Sequence, residues 1–181
     1  MKDFQPENEA FVARLVEICR DSGYRAALRR WWSPTTRHHA LPILGGKLFA
    51  LNEKLLVTPE IILSALYATH ANDSFQAHRS GGNSIGQSAL ELGGKKMSSG
   101  KFPSMERHFR RLLACDSLND LAMQLNRLIK RLERERIPLD YVLLLKHLSF
   151  WSKPSRPELR DVVKTRWSLH FWQAPSDLPT P

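Results

Sequence analysis

Apolar residues recur along most of the chain with the 3.6-residue period of an α-helix. No stretch sustains the apolar/polar alternation, rich in β-branched and aromatic residues, that marks a strand. The pattern predicts an all-α fold of about eight to nine helices, bundle-like, in two small lobes. The first helix, over residues 9–20, places Phe11, Leu15 and Ile18 on one face, and Asp21-Ser22-Gly23 is read as its stop, Gly23 accepting the positive φ of a helix end. A second helix follows over 24–32 and ends at Ser33-Pro34; a polar loop leads to Pro42 and a short helix over 43–51. Thr58-Pro59-Glu60 opens a helix over 59–71, because Thr caps, Pro suits the first helical position and Glu complements the dipole. Residues 72–83 read as a loop and 84–92 as a helix with Ser84 at its start. Residues 93–102, rich in Gly, Ser and Lys, read as a flexible linker between an N-terminal lobe (1–92) and a basic C-terminal lobe (103–174). The second lobe carries helices over 104–115, 117–136, 139–151 and 158–172, and a frayed tail over 175–181.

Two of these helices separate their charge from their apolar face. At about 100° per residue, Met105, Phe109, Leu112 and Leu113 share one arc, while Arg107, Arg110 and Arg111 share the opposite one. On the next helix Leu118, Leu121, Ala122, Leu125, Leu128, Ile129 and Leu132 form a stripe, and Arg127, Lys130, Arg131 and Arg134 gather on the far side. A face that serves only solubility interleaves signs, and these arginines are read as nearly free of acidic partners one turn away. Such faces fit phosphate groups.

Composition changes the picture mainly through charge. The 181 residues hold 27 Lys+Arg against 18 Asp+Glu, a formal charge of +9, with 42% hydrophobic residues. That usage is globular and excludes a low-complexity basic tail. Residues 1–100 carry a net +3 and residues 101–181 a net +6. A surplus of this sign favours a polyanion, since each phosphate neutralised by Lys or Arg releases condensed counterions. No apolar run reaches the roughly 20 residues that cross a bilayer, and Asp3, Glu7 and Glu9 occupy the place of a basic, apolar leader. A cytoplasmic protein with no membrane contact is expected, with Cys19 and Cys115 as buried, reduced thiols.

Catalytic signatures fail on context. Gly82-Asn83-Ser84-Ile85-Gly86 has the letters of a nucleophile elbow but lacks the preceding strand, so Ser84 reads as a helix cap. Gly94 to Lys101 misses the phosphate-loop spacing, and Phe102 stands where Ser or Thr would meet magnesium. His38-His39 cannot both face one site from a helix, and neither Cys lies at ligand spacing from a His, so no metal is expected. No carboxylate pair offers acid–base chemistry, and no cofactor is implied. Trp31, Trp32, Trp151, Trp167 and Trp172 have the character of base-stacking platforms, but the last three lie at helix-period positions and read as core.

Six segments stand in a fixed order along the chain: Arg25-Ala-Ala-Leu-Arg-Arg30, Ser84-Ile-Gly-Gln-Ser-Ala-Leu90 and Glu106-Arg-His-Phe-Arg-Arg-Leu-Leu-Ala-Cys-Asp116, then Gln124-Leu-Asn-Arg-Leu-Ile129, Ile137-Pro-Leu-Asp-Tyr141 running on to Leu148 and Trp151, and Val163-Lys-Thr-Arg-Trp167 ending in Phe171. In their order and spacing they resemble the CasB family, the small subunit of the type I-E CRISPR Cascade complex. The resemblance implies a helical, non-enzymatic subunit that pairs with a second copy of itself beside the other Cascade subunits and the guide RNA. It implies contact with the phosphates of the target and displaced DNA strands, without base reading, which stabilises the R-loop in antiviral defence. It carries Arg29, Arg30, Arg107, Arg111, Arg127, Arg131 and Lys146 over as basic contacts; the charge pattern adds Arg110 and Lys130. Asn126, in place of a second basic residue beside Arg127, and His147, in place of an acidic residue before Leu148, depart from the family pattern. The competing reading is a sequence-reading helix-turn-helix regulator, with a turn at Cys115-Asp116-Ser117. Its recognition helix needs base-reading side chains early, whereas here the basic residues come late.

Overall fold

The computed structural model describes residues 5–51, 57–94 and 100–172. Nine α-helices are found among them: α1 (Gln5–Ile18), α2 (Ser22–Arg29), α3 (Leu41–Ile43), α4 (Pro59–His70), α5 (Ile85–Leu92), α6 (Phe102–Leu113), α7 (Leu118–Arg134), α8 (Tyr141–Trp151) and α9 (Pro157–Trp172). Between the described helices there are two isolated bridges, Asn72 with Phe75 and His78 with Leu139, and no strand.

The caps explain most boundaries. The Thr58 hydroxyl accepts from the Ile61 N–H at the head of α4, the Ser117 hydroxyl from the Asp120 N–H on α7, and the Asp140 carboxylate from the Leu143 N–H on α8. At α5, Ser84 and Gln87 form a reciprocal capping box. The end of α7 is a left-handed turn in which Arg136 has φ 53° and the Ile137 N–H reaches back to the Leu132 carbonyl, 3.0 Å away.

Two early boundaries differ from the pattern. The stop after α1 is not a left-handed glycine: Asp21 caps α2, its carboxylate accepting from Gly23 and Tyr24 N–H at 2.7 and 3.0 Å, so Gly23 lies in the first turn of the new helix. An Asp before Ser-Gly starts a helix as readily as Gly ends one. The short helix over 43–51 is α3 followed by a single π turn (Leu44–Leu48), closed by Phe49 at φ 55°.

α4 sits at the centre, with nine of its twelve residues buried, and packs on α2, α7 and α8. α1 lies against α8, and α5 against α9. The closest approach is at Gly86, where a Cβ would overlap the Trp167 carbonyl and the His170 side chain. Phe109 stacks on Phe171 at 4.2 Å and Phe102 on Phe171 at 5.3 Å, tying α6 to α9. One hydrophobic cluster therefore runs through helices on both sides of 93–102. The ends of that segment are held in it, since Gly93 is buried at the end of α5 and Phe102 is buried at the start of α6. Residues 95–99 and the tail over 175–181 lie outside the described residues.

Candidate nucleic-acid interface

α6 and α7 expose their basic arcs because their apolar arcs are claimed by the core. Met105, Phe109 and Leu112 are buried on α6, as are Leu121, Leu125, Leu128, Ile129 and Leu132 on α7. Arg107, Arg110, Arg111, Arg127 and Lys130 are exposed and Arg131 is half-buried. His108 shows that the two arcs meet. Burial between the helices pushes its imidazole below the ordinary value, and the Arg131, Arg127 and Arg111 guanidiniums reinforce the shift. One arginine of α6 and two of α7 thus act electrostatically on a single ring, and Arg107 lies one turn from Arg111 on the same face. Arg131 also lines a cleft of about 320 Å³ with Leu92, Lys101, Ser104, Arg134 and Glu135. Arg134 completes this arc on the helix period already visible in the sequence; Lys101 joins it only through the fold.

The nine basic candidates differ in what the fold already engages. No ion pair forms to Arg107, Arg111, Arg127, Lys130 or Arg131 among the described residues. Arg110 differs: its guanidinium bonds the Glu106 carboxylate at 2.7 Å, four residues back, and stands over the Trp172 ring at 5.1 Å. The expectation that this arc lacks acidic partners is corrected there; Glu106 is the i−4 neighbour, and Trp172 donates to the same carboxylate at 3.3 Å. The Arg110 hydrogen bond holds the Glu106 carboxyl below its usual range. Arg29 donates to the Ala68 and Ala71 carbonyls at 2.6 and 2.8 Å and so closes the C-terminal end of α4. Arg30 is exposed at the end of α2, which packs on α4 and the short helices. Lys146 is half-buried on α8 next to His147, where Arg166 of α9 adds to the local charge.

Asn126 and His147 are both buried, so neither departure from the family pattern removes a surface charge. His147 Nδ1 accepts from Trp167 Nε1 at 2.9 Å, making it a core residue. Ser84 is buried at its cap with Oγ 2.6 Å from His170 Nδ1, closed off by the α5–α9 packing. At the head of α7 the exposed residues are Asn119 and Asp120, and Asp120 accepts from the Ser117 hydroxyl at 2.7 Å. A carboxylate at that end opposes a base-reading role. No group of three or more His, Cys, Asp or Glu side chains that could hold a metal occurs among the described residues, and no described helix is long and apolar enough to cross a membrane. Cys19 and Cys115 are free and buried; burial pushes the Cys19 thiol up to about 12.

Comparison with known proteins decides the family. The profile of CRISPR-associated protein Cse2 matches residues 24–172. The chain belongs to the Cse2 family. That membership supports a Cascade-type subunit. The Cse2-family fold is also found in two solved structures. A CRISPR-associated Cse2-family protein from Thermus thermophilus is 22% identical with a TM-score of 0.67, over 92% of this chain and 98% of its own. CasB from Thermobifida fusca is likewise 22% identical with a TM-score of 0.67, over 91% of this chain and 96% of its own. A search of curated proteins returns no match.

Proposed function

We propose that this Cse2-family chain is the non-catalytic small subunit of a type I-E Cascade complex and stabilises the R-loop by holding nucleic-acid backbone. The observation that supports this most is the outward basic seam of α6 and α7, where Arg107, Arg111, Arg127, Lys130 and Arg131 have no ion-pair partner among the described residues. In this reading the subunit works in the cytoplasm beside the guide RNA, the other subunits and a second copy of itself. In this reading the two lobes, 1–92 and 103–174, act as one body, a view supported by the single hydrophobic cluster that runs through described helices on both sides of 93–102.

The physical argument is a balance of duplexes. A guide–target heteroduplex is about as stable as the DNA duplex it replaces, so small contributions decide whether the opened state persists. Guanidiniums that bind the displaced strand lower the free energy of the open state and oppose re-annealing. They read no bases, because every contact is to phosphate. The test is single-strand affinity as a function of salt. If four to five phosphates are engaged, log K falls by about 3 to 3.5 per log unit of salt, with little dependence on base sequence. A salt-independent affinity, or an R-loop lifetime in the assembled complex that is the same with and without this subunit, overturns the reading.

A further inference from the structure

Phe49 is the one large apolar side chain among the described residues to stand 73% exposed, and its backbone is left-handed at φ 55°, ψ 37°. Each feature is unfavourable. An exposed phenyl ring forgoes burial, and a Cβ in the left-handed region costs about 1–2 kcal/mol that glycine would avoid. The surroundings enforce both. Leu48 and Ala50 on either side are buried, and the Phe49 and Ala50 N–H groups both return to the Leu44 carbonyl across the π turn. With its neighbours pulled inward, the ring has to point out. A π turn and a non-glycine left-handed residue each concentrate at functional sites.

What the ring meets is cationic. The Arg14 guanidinium of α1 lies over it at 5.5 Å from the centroid, and Lys47, two residues earlier, stands over the Tyr24 ring at 4.6 Å. The neighbouring Leu51 is 45% exposed, and the other exposed large apolar residues, Met123, Val162 and Leu169, belong to α7 and α9. Among the described residues the patch is Phe49 and Leu51 alone, flanked by cations, which is smaller than the water-excluded centre of a protein interface. They match an aromatic platform with charge beside it, as used for unpaired bases.

We propose that Phe49 stacks one unpaired nucleobase of a single strand, with Arg14 and Lys47 holding the flanking phosphates. The site rests on the nucleic-acid reading above but uses a surface of α1 and the π turn, separate from the α6–α7 seam. Stacking tolerates any base, so the site adds affinity for single strands over duplex without adding sequence preference.

The experiment measures binding of the full chain to a fluorescent single-stranded oligonucleotide and to the corresponding duplex, and repeats the single-strand measurement with 2-aminopurine in the strand. Phe49→Ala is expected to weaken single-strand binding by about 5- to 150-fold, the range set by one lost base stack. Duplex affinity and the salt slope should stay as they were, and 2-aminopurine quenching should disappear. Phe49→Trp should keep both affinity and quenching. Phe49→Gly should lose affinity without a lower melting temperature, which a residue serving only the fold would not show. Arg14→Gln should reduce the salt slope by about 0.7, one phosphate on a single strand. Unchanged single-strand affinity and quenching in Phe49→Ala overturns the proposal, including the case in which that variant instead loses association with a protein subunit. If Arg111→Glu with Arg127→Glu abolishes binding while Phe49→Ala does not weaken it, the stacking site alone falls. If the wild-type chain binds no single strand, the site and the nucleic-acid reading fall together.

Discussion

Arginines in the two halves of this molecule face different partners. Around α2, Arg25 is buried, donating to the Cys19 carbonyl at 2.9 Å and to Asp73 at 2.8 Å; Arg29 closes the end of α4, and Arg37 covers the Trp31 ring at 4.5 Å. Along the α6–α7 seam, Arg107, Arg111, Arg127 and Arg131 carry the same group with no ion-pair partner among the described residues. A guanidinium has five donors in a fixed fork, and what it does depends on whether the fold has already engaged them. Net charge counts both kinds alike. Only the second kind is ready for phosphate without a rearrangement.

The largest test of this contrast is Arg107→Glu, Arg111→Glu, Arg127→Glu and Arg131→Glu in one chain. Single-strand affinity at low salt should fall on the order of 10³-fold, because attraction at several phosphates becomes repulsion. The melting temperature should barely move, since these side chains hold no ion-pair partner among the described residues. A matched loss of stability would make the seam structural and erase the distinction.

The second test uses pH, to which arginines do not respond and the core does. Burial lowers His70 from 6.5 to about 4 and His147 from 6.5 to about 3. Both therefore bind fewer protons folded than unfolded, so their contribution to stability is complete above pH 6.5 and is lost as pH falls toward those values. At pH 5 each ring removes about 2 kcal/mol relative to pH 7, readable as a lower urea midpoint. Single-strand affinity between pH 6 and 8 should remain flat, because the guanidiniums that would meet phosphate keep their charge throughout that range.

Arg25→Ala sharpens the comparison from the other side. Removing a buried guanidinium leaves the Cys19 carbonyl without its donor, at a cost of about 2 kcal/mol in urea unfolding, with nucleic-acid affinity unchanged. Reduced affinity at wild-type stability would move Arg25 into the interface.

How much of this was legible follows from what helical periodicity can carry. It fixes which residues of one helix share a face, so the buried stripe and outward arc of α7 and the caps at Thr58 and Ser84 were readable from residue order alone. It says nothing about which helices touch. That α4 packs on α7 and α5 on α9, merging both halves into one core, depends on contacts between distant segments. The same limit hides Arg29 at the carbonyls of α4, about forty residues away in sequence. Phe49 escaped for a different reason: in the pattern it is one more apolar residue of a short helix, and only the π turn reverses its direction.

The smallest effect falls on Arg110, which belongs to both kinds. Its side chain is 65% exposed, as an interface residue would be, yet it bonds Glu106 and covers Trp172. An exposed pair one turn apart on a helix contributes about 0.3–0.5 kcal/mol, and the cation over the ring adds about 0.5–1. Arg110→Ala should therefore lower stability by about 1 kcal/mol. It also leaves Glu106 unpaired on the basic arc, so single-strand affinity should fall a few-fold through repulsion as well as lost attraction. Arg110→Ala combined with Glu106→Gln separates these causes. If affinity returns close to wild type in the double variant, Arg110 acts by neutralising Glu106; if the loss persists, Arg110 meets phosphate itself and belongs with the seam.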